Sequence, residues 1–223
     1  MTATLDKGNI DYKSELLRKS IHLLSLSMAI IYYFISRELA LQILVPLTIF
    51  SLILDLSRYI FPSYSKLFYK LFGFMLREHE INSKKLTLSG ATYVFFGVTL
   101  VVIFFPKVFV IPAIAILIIG DISAALFGRK FGRHKFLAKS LEGTFAFFIT
   151  GSIVILFSPK VSGELLEYLI GFAAAAVGSI MENVSYGWAD DNLTVPLAVC
   201  LTMAALYSIF LPDMILILPN VPV

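Results

Sequence analysis

The chain has 223 residues, of which 58% are hydrophobic and 15% charged, and its mean hydropathy is +0.87. Soluble domains carry roughly a quarter charged residues, so this composition excludes an ordinary soluble globule and favours a protein that faces lipid. The single cysteine, Cys200 in an apolar run, excludes a disulfide framework, and we expect no nucleic-acid partner at a net charge of +3.

The chain begins with nineteen mostly polar and charged residues, and we expect no removable signal peptide because no apolar segment precedes a small-residue cleavage site. A helix that crosses a bilayer needs about 20 mainly apolar residues, and shorter runs need tilt or polar flanks. We therefore predict one domain, residues 1–223, that is an all-α, polytopic integral membrane bundle. Its seven or so spanning helices are expected near 20–36, 39–57, 88–106, 108–127, 140–158, 165–187 and 192–211.

The basic residues are divided unevenly between the predicted connections. If the N-terminus is cytosolic, fifteen of the eighteen Lys and Arg residues lie in cytosolic segments, and only Arg37, Lys107 and Lys160 lie outside. Connections rich in Lys and Arg tend to stay in the cytosol. The pattern therefore predicts a cytosolic N-terminus, and this partition supports seven spans.

The longest predicted connection, residues 58–87, mixes apolar and basic side chains at helical spacing. This spacing predicts an amphipathic helix that lies in the inner membrane interface. An ordinary cytosolic helix packed on the bundle is the alternative. The apolar residues are Leu67, Phe68, Leu71, Phe72, Phe74 and Met75, and the basic residues are Lys66, Lys70 and Arg77.

Residues 120–144 place acids, glycines and basic side chains between two segments that are apolar enough to cross a bilayer. An acid inside a spanning segment, here Asp121, is by default a candidate functional residue. The loop after it is basic and spaced by glycines, which suits a polyphosphate because backbone N–H groups and cations can both reach its oxygens. The chain contains no Walker A spacing.

Further acids fall on the same predicted cytosolic side as this loop. They begin or end predicted helices, and Asp55 ends the second one. Mg²⁺ beside a nucleotide takes one or two carboxylates together with phosphate oxygens and waters. We therefore predict a site for Mg²⁺, or another divalent cation, among Asp121, Glu142, Glu182, Asp190 and Asp191.

Three blocks of the sequence resemble the CTP-dependent lipid kinases, which include dolichol or polyprenol kinases, phytol and farnesol kinases, and CTP-dependent diacylglycerol kinases. The blocks occur in the family's order and span residues 15–200. The first contains Gly120-Asp121, Ala124-Ala125, Gly128-Arg129, Gly132 and Lys139-Ser140-Leu141-Glu142-Gly143-Thr144. The second is Asp190-Asp191-Asn192-Leu193-Thr194-Val195-Pro196-Leu197, with Glu182 upstream, and the third, a weaker match, is Glu15-Leu16-Leu17-Arg18-Lys19-Ser20-Ile21-His22.

The resemblance implies a membrane enzyme that phosphorylates a lipid alcohol with CTP and a divalent metal, and that releases a lipid phosphate and CDP. We expect its active site at the cytosolic face, with the lipid entering laterally. Asp121, Asp191 and Glu142 are the expected catalytic residues, and Asp121 or Asp191 positions or deprotonates the hydroxyl. The expected CTP-binding residues are Arg18, Lys19, His22, Gly128, Arg129, Lys130, Gly132, Arg133, Lys135, Lys139, Ser140 and Asn192.

Two other functions stay open at this point. The first block also resembles the phosphatidate cytidylyltransferases, but their closing His-Asp-Arg signature is absent, which favours the kinase. A transporter also holds charges within the membrane, typically in repeated halves, and no clear internal repeat is present. The sequence leaves open which lipid alcohol is used, which membrane hosts the protein, and its oligomeric state.

Overall fold

The computed structural model describes residues 12–73, 76, 87–185 and 190–223, and for residues 12–15 it describes the backbone alone. These residues form an α-helical bundle with one short β-hairpin. The helices are α1 Tyr12–Leu24, α2 Leu26–Phe34, α3 Arg37–Ile60, α4 Pro62–Phe72, α5 Gly90–Phe104, α6 Lys107–Phe131, α7 Leu141–Phe157, α8 Leu165–Val184 and α9 Asp191–Phe210. The hairpin strands are β1 Lys135–Phe136 and β2 Lys139–Ser140, which pair antiparallel.

Among the described residues, four helices, α3, α6, α8 and α9, are long and apolar enough to cross a membrane, while α5 and α7 are shorter apolar helices. The predicted all-α membrane bundle is therefore confirmed as a fold class. The number of seven spans and the cytosolic N-terminus stay predictions. Five of the predicted helices begin and end within three residues of observed ones, and a sixth, predicted at 108–127, ends four residues early, because long uncharged runs leave little choice of boundary.

The predicted first helix, near 20–36, is divided in the structure into α1 and α2 at Ser25. The Ser25 N–H donates to the His22 carbonyl at 2.9 Å, three residues back, which is a tighter turn than an α-helix makes. The Ser27 hydroxyl donates to the Leu24 carbonyl at 2.7 Å. Serine side chains that bond local carbonyls compete with the helical ladder, so the helix ends here and restarts.

Helix α6 is the centre of the bundle and is buried over most of its length. It packs against α7, α9 and α2. Small residues allow the close approach: a Cβ on Gly120 of α6 would lie 2.7 Å from the Phe147 ring of α7, and one on Gly171 of α8 would lie 2.6 Å from Ile155. Small residues serve this purpose between helices in membranes.

At one end of the bundle, the three basic residues that were predicted outside donate hydrogen bonds to backbone carbonyls. Arg37 donates to the Ile103 carbonyl, and Lys107 donates to the carbonyls of Ile35 and Pro222. Lys160 donates to the carbonyls of Ile155 and Ser158 at 2.6 and 2.8 Å. These cations therefore serve the structure of one end of the bundle, and the carboxylates of the candidate site approach the other end.

Helix α4 carries the described part of the predicted amphipathic helix. It has no buried residue, and its Leu67, Leu71 and Phe72 side chains are about half exposed. The Arg58 guanidinium anchors it from α3, 5.1 Å from the centre of the Phe68 ring. The remaining predicted residues of this segment, Phe74, Met75 and Arg77, lie outside the described residues.

Candidate functional site

Three buried carboxylates from three helices meet inside the bundle. Asp121 comes from the middle of α6, Glu182 from the last turn of α8, and Asp191 from the first turn of α9. One oxygen from each lies within 4.8 Å of the others, and the residues are 5%, 3% and 2% exposed. We refer to these three residues as the acid cluster. Carboxylates this close repel one another, so cations must offset their charge.

Helix α1 supplies one of these cations. The Lys19 ammonium lies 2.5 Å from an Asp121 carboxylate oxygen and is itself buried, and the His22 Nε2 atom lies 3.4 Å from the same oxygen. Arg18, Lys19 and His22 were predicted as CTP-binding residues. The structure brings Lys19 and His22 directly to the deepest acid of the cluster.

The β-hairpin supplies the second cation. The Lys139 ammonium lies 2.5 Å from Glu182 and 3.6 Å from Asp191. Burial alone lowers the pKa of Lys139, but the nearby carboxylates of Glu182 and Asp191 outweigh it and raise the pKa above its ordinary value. Lys139 therefore stays protonated at neutral pH and joins the basic loop to the acid cluster.

Asn183 is a site residue that the sequence did not single out. Its side-chain oxygen accepts from the backbone N–H groups of Ala138 and Lys139 at 2.9 and 3.1 Å, and its amide donates to the Thr144 hydroxyl at 2.5 Å. The residue is fully buried. It therefore fixes the hairpin beside the acid cluster, and its position directly after Glu182 was the available signal.

The predicted nucleotide loop, residues 128–139, consists of the last turn of α6 and the β-hairpin, and it has an exposed basic surface. Lys130, Arg133 and Lys135 are exposed, and Arg129 is partly buried. A Cβ on Gly132 would clash with the Gly128 carbonyl and the Ser140 side chain. Gly132 is therefore required by the way the loop folds onto the start of α7.

Glu142 lies apart from the acid cluster. Its carboxylate accepts from the His134 N–H at 3.2 Å and lies 2.7 Å from the His134 Nδ1 atom. Residue Glu142 thus closes the basic loop onto the start of α7. Ser140 caps the same helix by accepting from the Gly143 N–H at 3.3 Å.

Two further predicted acids also lie outside the cluster found among the described residues. The Asp190 carboxylate caps α9, because it accepts from the Asn192 N–H at 2.9 Å and from the Asn192 side-chain amide at 2.7 Å. Asp55 lies 3.3 Å from Arg58 and accepts from the Ser89 N–H at 2.5 Å. Asp55 therefore ties α3 to the start of α5.

The acid cluster fits a divalent cation of the hard, oxygen-binding kind. Mg²⁺ prefers carboxylate oxygens and keeps positions for phosphate oxygens and water. Asp121, Glu182 and Asp191 offer such oxygens from separate helices, and Lys19 and Lys139 already balance part of their charge. These three residues are the ones that would hold the cation.

Comparison with known proteins identifies relatives of this chain. The chain is 31% identical over 193 residues to an uncharacterized protein of Rickettsia prowazekii. The aligned region covers 86% of this chain and 94% of that protein. It is 27% identical to the CTP-dependent diacylglycerol kinase 1 of Saccharomyces cerevisiae, over 91% of this chain and 77% of that kinase. The chain belongs to the family of CTP-dependent lipid kinases.

A phytol kinase of Synechocystis is a further relative of this lipid kinase, 34% identical over 95 residues, which cover 40% of this chain and 41% of that protein. No family model matches the chain, and no solved structure matches it. The predicted family and the predicted enzyme class, a phosphotransferase with an alcohol acceptor, are confirmed. The roles of individual site residues stay predictions.

Proposed function

We propose that this lipid kinase transfers the γ-phosphoryl group of CTP to the hydroxyl of diacylglycerol, and releases phosphatidate and CDP on the cytosolic face of its membrane. The observation that carries the proposal is the acid cluster of Asp121, Glu182 and Asp191, buried beneath a basic loop and paired with two lysines. Phosphoryl transfer is catalysed mainly by positioning and by stabilising charge, and this arrangement supplies both.

The two lysines suggest a division of the cluster into a donor side and an acceptor side. Glu182 and Asp191 are paired with Lys139, which belongs to the basic loop. Asp121 is paired with Lys19 and His22 of α1, and it lies in the middle of a membrane-spanning helix. The loop side is suited to the triphosphate, and the Asp121 side is suited to a hydroxyl that arrives from the bilayer.

On the donor side, the loop residues bind and orient CTP. The exposed cations Lys130, Arg133 and Lys135 attract the triphosphate, and Lys139 meets its terminal oxygens at the cluster. Asn183 holds the Lys139 backbone in place. A bound Mg²⁺ would supply Lewis-acid stabilisation of the charge on the transferring group.

On the acceptor side, Asp121 positions the hydroxyl and accepts its proton as the oxygen attacks the γ-phosphorus. For this step the Lys19 ammonium must turn from Asp121 towards the phosphate oxygens, which a flexible lysine side chain permits. The surrounding burial excludes water, so that the lipid hydroxyl and not water receives the phosphoryl group.

Diacylglycerol is proposed first because the relatives named as diacylglycerol kinases match the larger part of the chain. The kinase of Schizosaccharomyces pombe is 26% identical over 64% of this chain and 69% of its own length. A phytol-like alcohol is the second candidate, because of the Synechocystis phytol kinase.

The direct test is purified protein with Mg²⁺, labelled CTP or ATP, and a panel of diacylglycerol, phytol and a polyprenol. We expect labelled phosphatidate and CDP with CTP, and much less product with ATP. Pyrophosphate together with a CDP-lipid would instead establish the cytidylyltransferase. Absence of CTP turnover with every alcohol would contradict the proposal.

A further inference from the structure

An apolar cavity of about 160 Å³ opens between α2 and α3. Helices α2 and α3 form its walls. Helix α6, on which α2 packs, and helix α5, on which α3 packs, form its floor. The wall residues include Met28, Ile31, Ala40, Leu44 and Leu47, and Phe95 of α5 contributes to the floor.

The cavity lies on the side of the acid cluster that faces away from the basic loop, because its lining extends to Ile35, whose carbonyl accepts from Lys107 at the opposite end of the bundle. Ile114 lines the cavity, and Asp121 follows it by seven residues on α6, which places both on the same face of that helix. At 1.5 Å per residue, the separation along the axis is about 10 Å. Met28 of the cavity wall comes six residues after His22 of the site, along the α1–α2 segment.

We propose that this cavity receives a hydrocarbon chain of the lipid alcohol while the hydroxyl lies at Asp121. The inference rests on the proposed function and extends it to the recognition of the substrate's chain. An apolar cavity of about 150 Å³ stays dry and binds a molecule the size of benzene, so this cavity suits a segment of about six carbons. The rest of the chain would extend into the bilayer.

The position of the cavity favours the substrate over an ordinary membrane phospholipid as its occupant. A phospholipid in this cleft whose headgroup pointed towards the acid cluster would bring its phosphate to the paired acids, where like charges repel. A neutral lipid alcohol brings only a hydroxyl. Because its chain moves from one apolar medium to another, the cavity selects by shape rather than by hydrophobic transfer.

The test narrows the cavity at its mouth and compares two diacylglycerols. Leu47 lines the cavity and is 41% exposed, and Leu56 is 42% exposed on the opposite face of α3, outside the lining. We expect Leu47→Trp to lower kcat/KM for dioleoylglycerol about tenfold. It should leave kcat/KM for the short dibutyrylglycerol, whose four-carbon chains end before the cavity, within about twofold. The control Leu56→Trp should change neither value.

A second variant, Leu44→Ala, widens the cavity from within. It should raise kcat/KM for diacylglycerols with branched or bulky chains relative to kcat/KM for dioleoylglycerol. An unchanged ratio between the two diacylglycerols in Leu47→Trp, or an equal loss with both, would overturn the inference. A parent protein that phosphorylates neither diacylglycerol with CTP would contradict the proposed function itself. If Leu47→Trp does not fold, Leu44→Ala is the test, and an unchanged relative kcat/KM for branched or bulky chains in that variant would overturn the inference.

Discussion

Asp121 shows how one residue can be both costly to bury and necessary for the site. A central aspartate costs about 2.5–3.5 kcal/mol on membrane-insertion scales. In the structure its charge is balanced by the Lys19 ammonium at 2.5 Å, and the His22 Nε2 atom lies 3.4 Å away, both from residues about one hundred positions earlier in the chain. The pair lets a carboxylate persist at a depth where it would otherwise be protonated.

Replacing Asp121 by Asn should abolish phosphoryl transfer and also lower stability. The amide cannot take up the hydroxyl proton, and the buried Lys19 ammonium loses its carboxylate partner, which costs on the order of 3 kcal/mol. Kinase assays and thermal unfolding in detergent measure the two effects. The double variant Lys19→Met with Asp121→Asn should recover stability but no activity. Activity near the parent value in Asp121→Asn would reduce the residue to a structural acid.

Asn183 is expected to act as a positioning residue for Lys139. Asn183→Ala removes the acceptor for two partly buried backbone N–H groups of the hairpin, at 2.9 and 3.1 Å. We expect a loss of about 1–3 kcal/mol in the free energy of unfolding. The KM for CTP should rise about tenfold, with a smaller effect on kcat. Asn183→Asp retains the acceptor oxygen and should recover part of the CTP affinity. A change in stability alone, with KM unaltered, would mean a purely structural role.

At the scale of elements, the long helices follow from the sequence, and the short elements do not. Apolar runs of span length leave one physical solution for the backbone in lipid, so α3, α6 and α9 begin and end near their predicted positions. The break at Ser25 was missed because two serines in an apolar run also fit a continuous helix. The β-hairpin was missed because two-residue strands carry almost no periodicity.

The sequence predicted the location of the site but not the partners of its side chains. Topology placed Asp121, Glu182 and Asp191 at one side of the membrane, and the structure brings them together. The partners of individual side chains were not predictable, since Lys19 and Asp121 are brought together only by helix packing. The pairing of Glu142 with His134 depends likewise on the turn between them.

Helix α4 should lie in the membrane interface, with its apolar face in the lipid. Leu71 is half exposed and its neighbour Lys70 is also exposed, and the two side chains point about 100° apart around the helix axis. The single native cysteine, Cys200, is fully buried and gives little background. A polarity-sensitive dye on Leu71→Cys should shift to the blue in proteoliposomes, and the same dye on Lys70→Cys should shift much less. Equal, water-like emission at both positions would favour a cytosolic helix.

At the scale of the whole molecule, the bundle has two chemically different ends. One end uses Arg37, Lys107 and Lys160 to satisfy backbone carbonyls, and Glu167 there accepts from three backbone N–H groups and from the Tyr207 hydroxyl. The other end presents the exposed cations of the loop above the acid cluster. A kinase that takes a charged nucleotide from water and a neutral alcohol from lipid requires such an asymmetry.

This asymmetry predicts the orientation in the membrane, because connections rich in Lys and Arg stay in the cytosol. Glu164 at the carbonyl-capping end and Lys135 at the loop end are both exposed, whereas Lys107 is too buried to report on solvent. In sealed cells, an impermeant thiol reagent should label Glu164→Cys from outside and should label Lys135→Cys only after the membrane is permeabilised. The parent protein, whose Cys200 is buried, is the control. Labelling of Lys135→Cys from outside would place the nucleotide loop on the side that has no supply of CTP, and would overturn the cytosolic active site.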